Sequence, residues 1–450
     1  MIIEYYKSKE YRIFADGKPI NLKETSDSNT TELPDSIKIL KISENLKVRS
    51  IIADKSKLTK LVCNNNTLEI LSINKCKDLQ YIHIINTPLG NDPIKLELLS
   101  KSLPDRNDRE WGSIIISDSK IRKQVEKKFI KKDWYFGSTL MYNNEKLNKI
   151  RQYQFETMGI LDIWESAEYG EGKVVAIADT GFSMHNKEFN YSNCLGMYNF
   201  SFQKTSSNNP VAYPKSGTAW HGTAIASLMI AQGKDMWGAI PKSKYYLMKI
   251  GNSDSTSNTQ IMLNACKKAD ELGCDVLNVS YSASPTPLKE SEKEILDTFA
   301  NKGSAYCQAT GNNGSTRRID LFPTSYKCAV GIAGNNSEYG FYNGNNYFNG
   351  IDFLAPGVCV YVEQNEGKYG TVNGTSAACP LLSSCYILMM ILFEKKYDRK
   401  PTFNELVTYM SHRTIDAGRD VLRQGYGHFN FMAYNKDPKE PLYNIEVEVD

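Results

Sequence analysis

In the first third of the chain, apolar positions recur at a fixed long spacing. Leu58, Leu61, Cys63 and Leu68 alternate with polar residues, and Asn66 falls just before the last of them. Ile37, Leu40, Ile42 and Asn45 precede Leu58, Leu61, Cys63 and Asn66 by 21 residues, and Leu79, Ile82 and Ile84 follow the first three by 21. Leu68, Leu71, Ile73 and Cys76 form a half-turn between them. Each short alternating piece predicts a strand whose alternate side chains enter one core. A single turn of this kind buries too little apolar surface to stand alone, so the turns must stack and be capped. Residues 103–116 then read as a loop and a final strand, and residues 121–134 as a basic amphipathic helix.

The pattern changes after residues 137–153, which are rich in Asn, Lys and Ser/Thr and read as a linker between a unit over 1–136 and another over 154–450. From Gln154 onward, apolar strands alternate with helical stretches, the signature of a parallel sheet covered by helices. Residues 173–178 are a continuous apolar run, as a buried parallel strand requires, and end in Asp179-Thr180-Gly181. A carboxylate at the carboxyl end of a central strand lies where α/β sheets place their sites. His221-Gly222-Thr223 opens a run of small and apolar residues that reads as a helix. The positive end of that helix is expected to lower the imidazole pKa and favour the neutral, base-competent form. Asn373 to Pro380 precedes the longest apolar run, residues 386–393, which reads as a buried helix too short to span a bilayer. Ser376 would sit rigidly at its start.

Asp179-Thr180-Gly181, His221-Gly222-Thr223 and Gly374-Thr375-Ser376-Ala377-Ala378-Cys379-Pro380, in that order, resemble the motifs of the subtilisin-like serine peptidases. Gly238-Ala239-Ile240-Pro241, residues 276–282, residues 309–314 and Ala355-Pro356-Gly357-Val358 agree with further blocks of the family, so the resemblance covers about residues 155–435. It implies an α/β, subtilisin-like three-layer domain with a mainly parallel central sheet. It assigns Ser376 as nucleophile, His221 as base, Asp179 as its orienting carboxylate and Asn312 as oxyanion donor. A protein or peptide substrate would lie extended against Ser280, Tyr281, Ser282, Ala309, Thr310 and Gly311. Arg317, Arg318 and Asp320 either line the first pocket or form a solvated loop. His185 matches a histidine that is structural in the family, and Cys379 is expected to face a packed helix. Many relatives carry structural calcium, but no dense Asp cluster or metal-ligand set marks a site here, and no cofactor is required.

The periodic N-terminal segment resembles short leucine-rich-repeat domains of bacterial proteins, in which a similar Leu-Pro-Asp-Arg stretch, strand, helix and tryptophan close the array. The alternative is an edge-strand cluster of an unrelated α/β domain. The resemblance covers residues 30–140 and implies a solenoid whose surface binds protein. It would then either dock one substrate for limited cleavage or cover the cleft. A non-catalytic binding protein on a peptidase fold is the competing class.

Composition narrows these expectations. With 54 basic and 51 acidic side chains among 450 residues, the net charge of +3 gives no field for nucleic acid. Glu4 interrupts the N-terminus before any signal-peptide pattern develops, so a cytoplasmic location without a membrane span is expected. Ten cysteines without a CxxC pair then read as reduced, mostly buried thiols.

Overall fold

The structure, a computed structural model, describes residues 2–4, 13–15, 18–20, 30–32, 38–42, 50–54, 57–64, 67–139, 152–184, 186–201, 220–251, 257–282, 288–314, 323–336, 340, 342–347, 349–358, 360–365, 367–439 and 441. It divides into two compact units: Met1–Asn144 with Leu161–Ser166, and Glu145–Ile160 with Ala167–Asp450.

In the first unit the 21-residue period becomes strand register. Strands Ile2–Glu4, Ile39–Ile42, Lys60–Cys63, Tyr81–His83, Gly112–Ile115 and Trp134–Phe136 form one parallel sheet in that order. Leu40 pairs with Leu61, Leu61 with Ile82 and Ile82 with Ile114, and all four side chains are fully buried. Leu58, Leu68, Leu71, Ile73 and Cys76 join the same core. A second parallel sheet is built from Thr30–Glu32, Ser50–Ile52 and Ile70–Ser72. Asn45 and Asn66 lie outside the described residues.

Two expectations for this unit need correction. The basic helix spans Ser119–Ile130 rather than 121–134. Asp118 caps its start by accepting from the N–H groups of Lys120 and Ile121. Asp133, at φ 56°, turns the chain out of the helix, and Trp134–Phe136 pairs with Gly112–Ile114 as one more strand. Residues 112–115 are therefore not the last strand. Trp134 packs flat on Gly112, where a Cβ would meet the indole at 2.3 Å; its Nε1 donates to Pro104 O at 2.9 Å. Arg106 and Arg109 both donate to Lys77 O, tying the Leu-Pro-Asp-Arg loop to an earlier turn. A helix over Pro93–Ser102, capped by Asp92, was not anticipated.

The second unit carries a nine-stranded sheet. Its order is Cys194–Asn199, Lys244–Lys249, Val174–Asp179, Val276–Val279, Ala305–Ala309, Ala329–Asn335, Phe353–Pro356, His428–Phe429 and Thr414–Ile415. Every adjacent pair is parallel except the last. Alternate side chains serve opposite faces. Ala176, Ala178, Leu277, Val279 and Tyr306 pack with helices Thr259–Glu271 and Glu290–Asn301. On the other face Asn278 accepts from Ser383 of helix Thr375–Tyr397 at 3.0 Å. The inner strands Val174–Asp179, Val276–Val279, Ala305–Ala309 and Ala329–Asn335 are mostly apolar and almost wholly buried, as strands covered on both faces are.

The long helix corrects the reading of residues 386–393. At 23 residues it is long and apolar enough to cross a membrane by length and composition, yet 94% of its most apolar stretch is buried in the protein. Pro380 lies inside it, at its sixth residue, where the ring removes the bond that a main-chain N–H would give to Ser376 O. Among the described residues no cysteine is in a disulfide, and Cys63, Cys76, Cys266, Cys274, Cys307, Cys379 and Cys385 are buried.

Candidate active site

Asp179 is the last residue of the apolar strand Val174–Asp179 and is fully buried. Its Oδ1 accepts from the Thr180 N–H at 2.7 Å. Gly181, at φ 124°, turns the chain out of the sheet. The helix His221–Ile230 begins against this turn. Its contact leaves no room for a side chain at Gly222: a Cβ there would lie 2.2 Å from Gly181 O and 3.1 Å from Asp179 Cβ. The Gly222 N–H donates to Thr180 Oγ1 at 3.2 Å, and the Ser183 N–H to Thr223 Oγ1 at 2.8 Å. The two segments are thereby locked together in register.

That lock brings His221 Nδ1 to 2.7 Å from Asp179 Oδ1. Nδ1–H donates to the carboxylate, so the neutral ring has its lone pair on Nε2. Two aromatic rings lie close to the imidazole, Trp220 at 5.9 Å and Tyr281 edge-on at 6.5 Å. Burial pulls its pKa down, but the charge and hydrogen bond of Asp179 outweigh that pull, and the pKa lies above its ordinary 6.5. This reverses the expectation drawn from the helix end. The helix terminus contributes a partial charge, whereas Asp179 is a full charge in contact.

Ser376 is the second residue of helix Thr375–Tyr397 and is half-buried. The residue before the helix, Gly374, has φ 138°, a backbone that favours glycine. A Cβ there would also press on Asn312 Nδ2 at 3.0 Å. Asn312 is held by its other amide atom: Oδ1 accepts from the Thr375 N–H at 2.8 Å. The Gly311 N–H donates to Thr375 Oγ1 at 3.1 Å. The start of the serine helix and the Asn312 loop are thus one bonded assembly, with the amide nitrogen turned to the Gly374 side.

The remaining candidates fall at the carboxyl ends of neighbouring parallel strands. Ser280 is buried, and its Oγ accepts from Asn278 Nδ2 at 3.1 Å. Tyr281 is half-buried and its carbonyl accepts from Gln308 Nε2 at 2.8 Å, while Ser282 is exposed. Ala309, Thr310 and Gly311 are buried. The Thr310 N–H and hydroxyl both donate to Ile332 O at 3.1 Å. Cys379 is buried but faces the sheet rather than a packed helix: it lies on helix Thr375–Tyr397 with its thiol near the carbonyls of Val279 and Cys307, and burial pushes its pKa well up. Arg317, Arg318, Asp320 and His185 lie outside the described residues.

Among the described residues no group of three or more His, Cys, Asp or Glu is gathered to hold a metal ion. The buried Glu188 has both of its carboxylate oxygens taken by donors of the protein itself. Its Oε2 accepts from the N–H groups of Asp235 and Met236, and its Oε1 from the Tyr369 hydroxyl at 2.7 Å. A carboxylate surrounded by donors is already balanced, whereas calcium needs a shell of oxygen acceptors. Sequence reasoning passed over Glu188 because its partners, two main-chain N–H groups and the Tyr369 hydroxyl, all lie more than 40 residues away.

Residues 170–428 match the profile described as the subtilase family. The chain is similar to the minor extracellular protease Epr of Bacillus subtilis (strain 168), 23% identical over 301 residues that cover 64% of this chain and 42% of that protein. It thus spans less than half the length of that relative. It is also similar to an intracellular serine protease of Paenibacillus polymyxa, 24% identical over 270 residues that cover 59% of this chain and 80% of the other. Thermitase of Thermoactinomyces vulgaris is 23% identical over 237 residues that cover 53% and 81%.

Proposed function

This chain belongs to the subtilase family, and from that membership we propose that it is a serine endopeptidase acting through Asp179, His221 and Ser376. The observation that carries the proposal is the 2.7 Å bond between the buried Asp179 carboxylate and His221 Nδ1, which leaves Nε2 as the base. Ser376 Oγ attacks the scissile carbonyl carbon while His221 Nε2 takes its proton. The negative charge moves to the carbonyl oxygen, where Asn312 Nδ2 and the Ser376 N–H donate to it. Collapse expels the amine, which leaves with the proton from His221, and an acyl ester remains on Ser376. Water then attacks the ester by the same relay, and the acid product leaves with Ser376 reprotonated. Asp179 stays ionised throughout and favours the imidazolium formed at each step.

The substrate class is protein, and the N-terminal unit supports a narrower reading: it is a leucine-rich-repeat-type array that docks one protein for limited cleavage. Support comes from the 21-residue register of its parallel strands and from the stacked core of Leu40, Leu61 and Ile82. Rigid arrays of this kind present long binding surfaces. Lys60, with its ammonium 5.2 Å from the Tyr81 ring centroid, lies in this strand register and is a suitable place to test docking. The test uses the full chain: cleavage sites are first read from a peptide library, with Ser376→Ala as control. A double Lys60→Glu, Tyr81→Ala variant is then compared with the parent on a cell-derived protein substrate and on a short peptide carrying the same site. Docking predicts a raised KM for the protein alone; equal effects on both would reject it.

A further inference from the structure

A buried asparagine from a separate turn clamps the loop that carries Asn312. Asn346 is 1% exposed, and its bonds bracket Asn312 on both sides. Its main-chain N–H donates to Gly311 O at 3.1 Å. Its Nδ2 donates to Thr310 O at 3.0 Å. Its Oδ1 accepts from the Asn313 N–H at 2.9 Å. The bracketed residue, Asn312, makes its own bond to Thr375 at the start of the serine helix.

The clamp is itself anchored. The adjacent Asn345, also buried, bonds both main-chain groups of Gly334: Oδ1 accepts from its N–H at 2.9 Å and Nδ2 donates to its carbonyl at 2.6 Å. Gly334 lies in the central strand Ala329–Asn335. A further bond, from the Gly314 N–H to Gly344 O at 2.8 Å, closes the far end of the loop. One asparagine thus fixes the turn to the sheet, and the next fixes the Asn312 loop to the turn.

A side-chain amide has one donor end and one acceptor end, and here the two are used on opposite sides of residue 312. Asp would lose the donor to Thr310, and Ala would lose both side-chain bonds. The exposed Asn312 loop would then be free to shift, and a donor to a developing oxyanion must be held within a few tenths of an ångström. We propose that Asn346 is a positioning residue for catalysis, acting on the oxyanion donor through the backbone of residues 310–313 without touching substrate.

The inference rests on the peptidase reading above, and the experiment separates the two. Peptide hydrolysis is measured for the parent, Asn346→Ala, Asn312→Ala and the double variant, with Ser376→Ala as blank and thermal unfolding as a check on folding. The parent is expected to hydrolyse the peptide above the Ser376→Ala blank. Asn346→Ala is expected to lower kcat about 10-fold or more with KM little changed, and to do little further in the Asn312→Ala background. A loss of the same size in both backgrounds would show that Asn346 supports the fold at large and would overturn the assignment. Asn346→Asp, which keeps the acceptor for the Asn313 N–H, should fall between parent and Ala in kcat; an Asp variant equal to the parent would also overturn it. No hydrolysis by the parent would instead overturn the peptidase reading itself.

Discussion

His221 Nδ1 donates to Asp179 Oδ1 across 2.7 Å, although the two residues are 42 positions apart in sequence. The distance is set by Gly222, whose missing side chain lets the helix start rest on Gly181. The pair fixes both the orientation of the ring and the nitrogen, Nε2, that carries its lone pair.

Replacing Asp179 with Asn would offer the ring a donor where it needs an acceptor, and the imidazole would turn to the wrong tautomer. Asp179→Asn is expected to lower kcat about 10,000-fold while leaving the fold intact. It should also remove the influence that holds the His221 pKa above 6.5. In the parent, the acid limb of kcat/KM should therefore have its midpoint above 6.5, because the reaction needs the neutral ring. A pH–rate profile of the parent and a single-turnover assay of the variant check both statements.

In the proposed mechanism Asn312→Ala removes one oxyanion donor and leaves the charge relay in place. The expected loss is about 100- to 1,000-fold in kcat, roughly 3–4 kcal/mol of transition-state stabilisation, with KM changed little. Steady-state kinetics on a short peptide decide it. A change confined to KM would place Asn312 in substrate binding instead.

Gly222→Ala puts a methyl group 2.2 Å from a backbone oxygen of the turn that follows Asp179. Backbone on both sides must shift, at a cost of about 1–3 kcal/mol in stability. Activity should fall by more than that loss of folded protein explains, because the shift separates His221 from Asp179. Unfolding midpoints measured beside kcat on the folded fraction separate the two effects.

His428 makes the second unit acid-sensitive. It is fully buried, with Nδ1 bonded to Asn335 Nδ2 and Nε2 to Thr157 O. Burial lowers its pKa from 6.5 to about 4, despite the opposing bond to Thr157. The unfolded chain therefore binds the proton more readily than the folded one. The stability contributed is fully present above about pH 6.5 and is lost as pH falls towards 4, on the order of 3 kcal/mol in all. Unfolding midpoints between pH 7 and 4.5 should fall, and fall less in His428→Asn.

The motif residues were legible because their chemistry is local. Asp179, His221 and Ser376 each lie within two residues of a glycine that makes a turn or a close approach, and each neighbouring run has the apolar pattern of a buried strand or helix. The 21-residue period was legible for the same reason, since each turn repeats its own core positions. What the pattern concealed depends on partners distant in sequence. The strand at Trp134 was read as helix because a basic amphipathic run continues up to it, and only the left-handed Asp133 marks the break. The raised pKa of His221 follows from one contact, which no helix-end argument contains. Asn346 lies in an Asn/Gly-rich turn without periodicity, and its role emerges only once residues 310–313 lie beside it.

The central claim is that Asp179, His221 and Ser376 form a working nucleophilic centre in the intact chain. A serine-directed fluorophosphonate probe tests it most directly, applied to the 450-residue chain beside Ser376→Ala and His221→Ala. Labelling of the parent alone, mapped to Ser376 by mass spectrometry, is the predicted result. A folded parent that takes no label, or labelling that persists in Ser376→Ala, would contradict it.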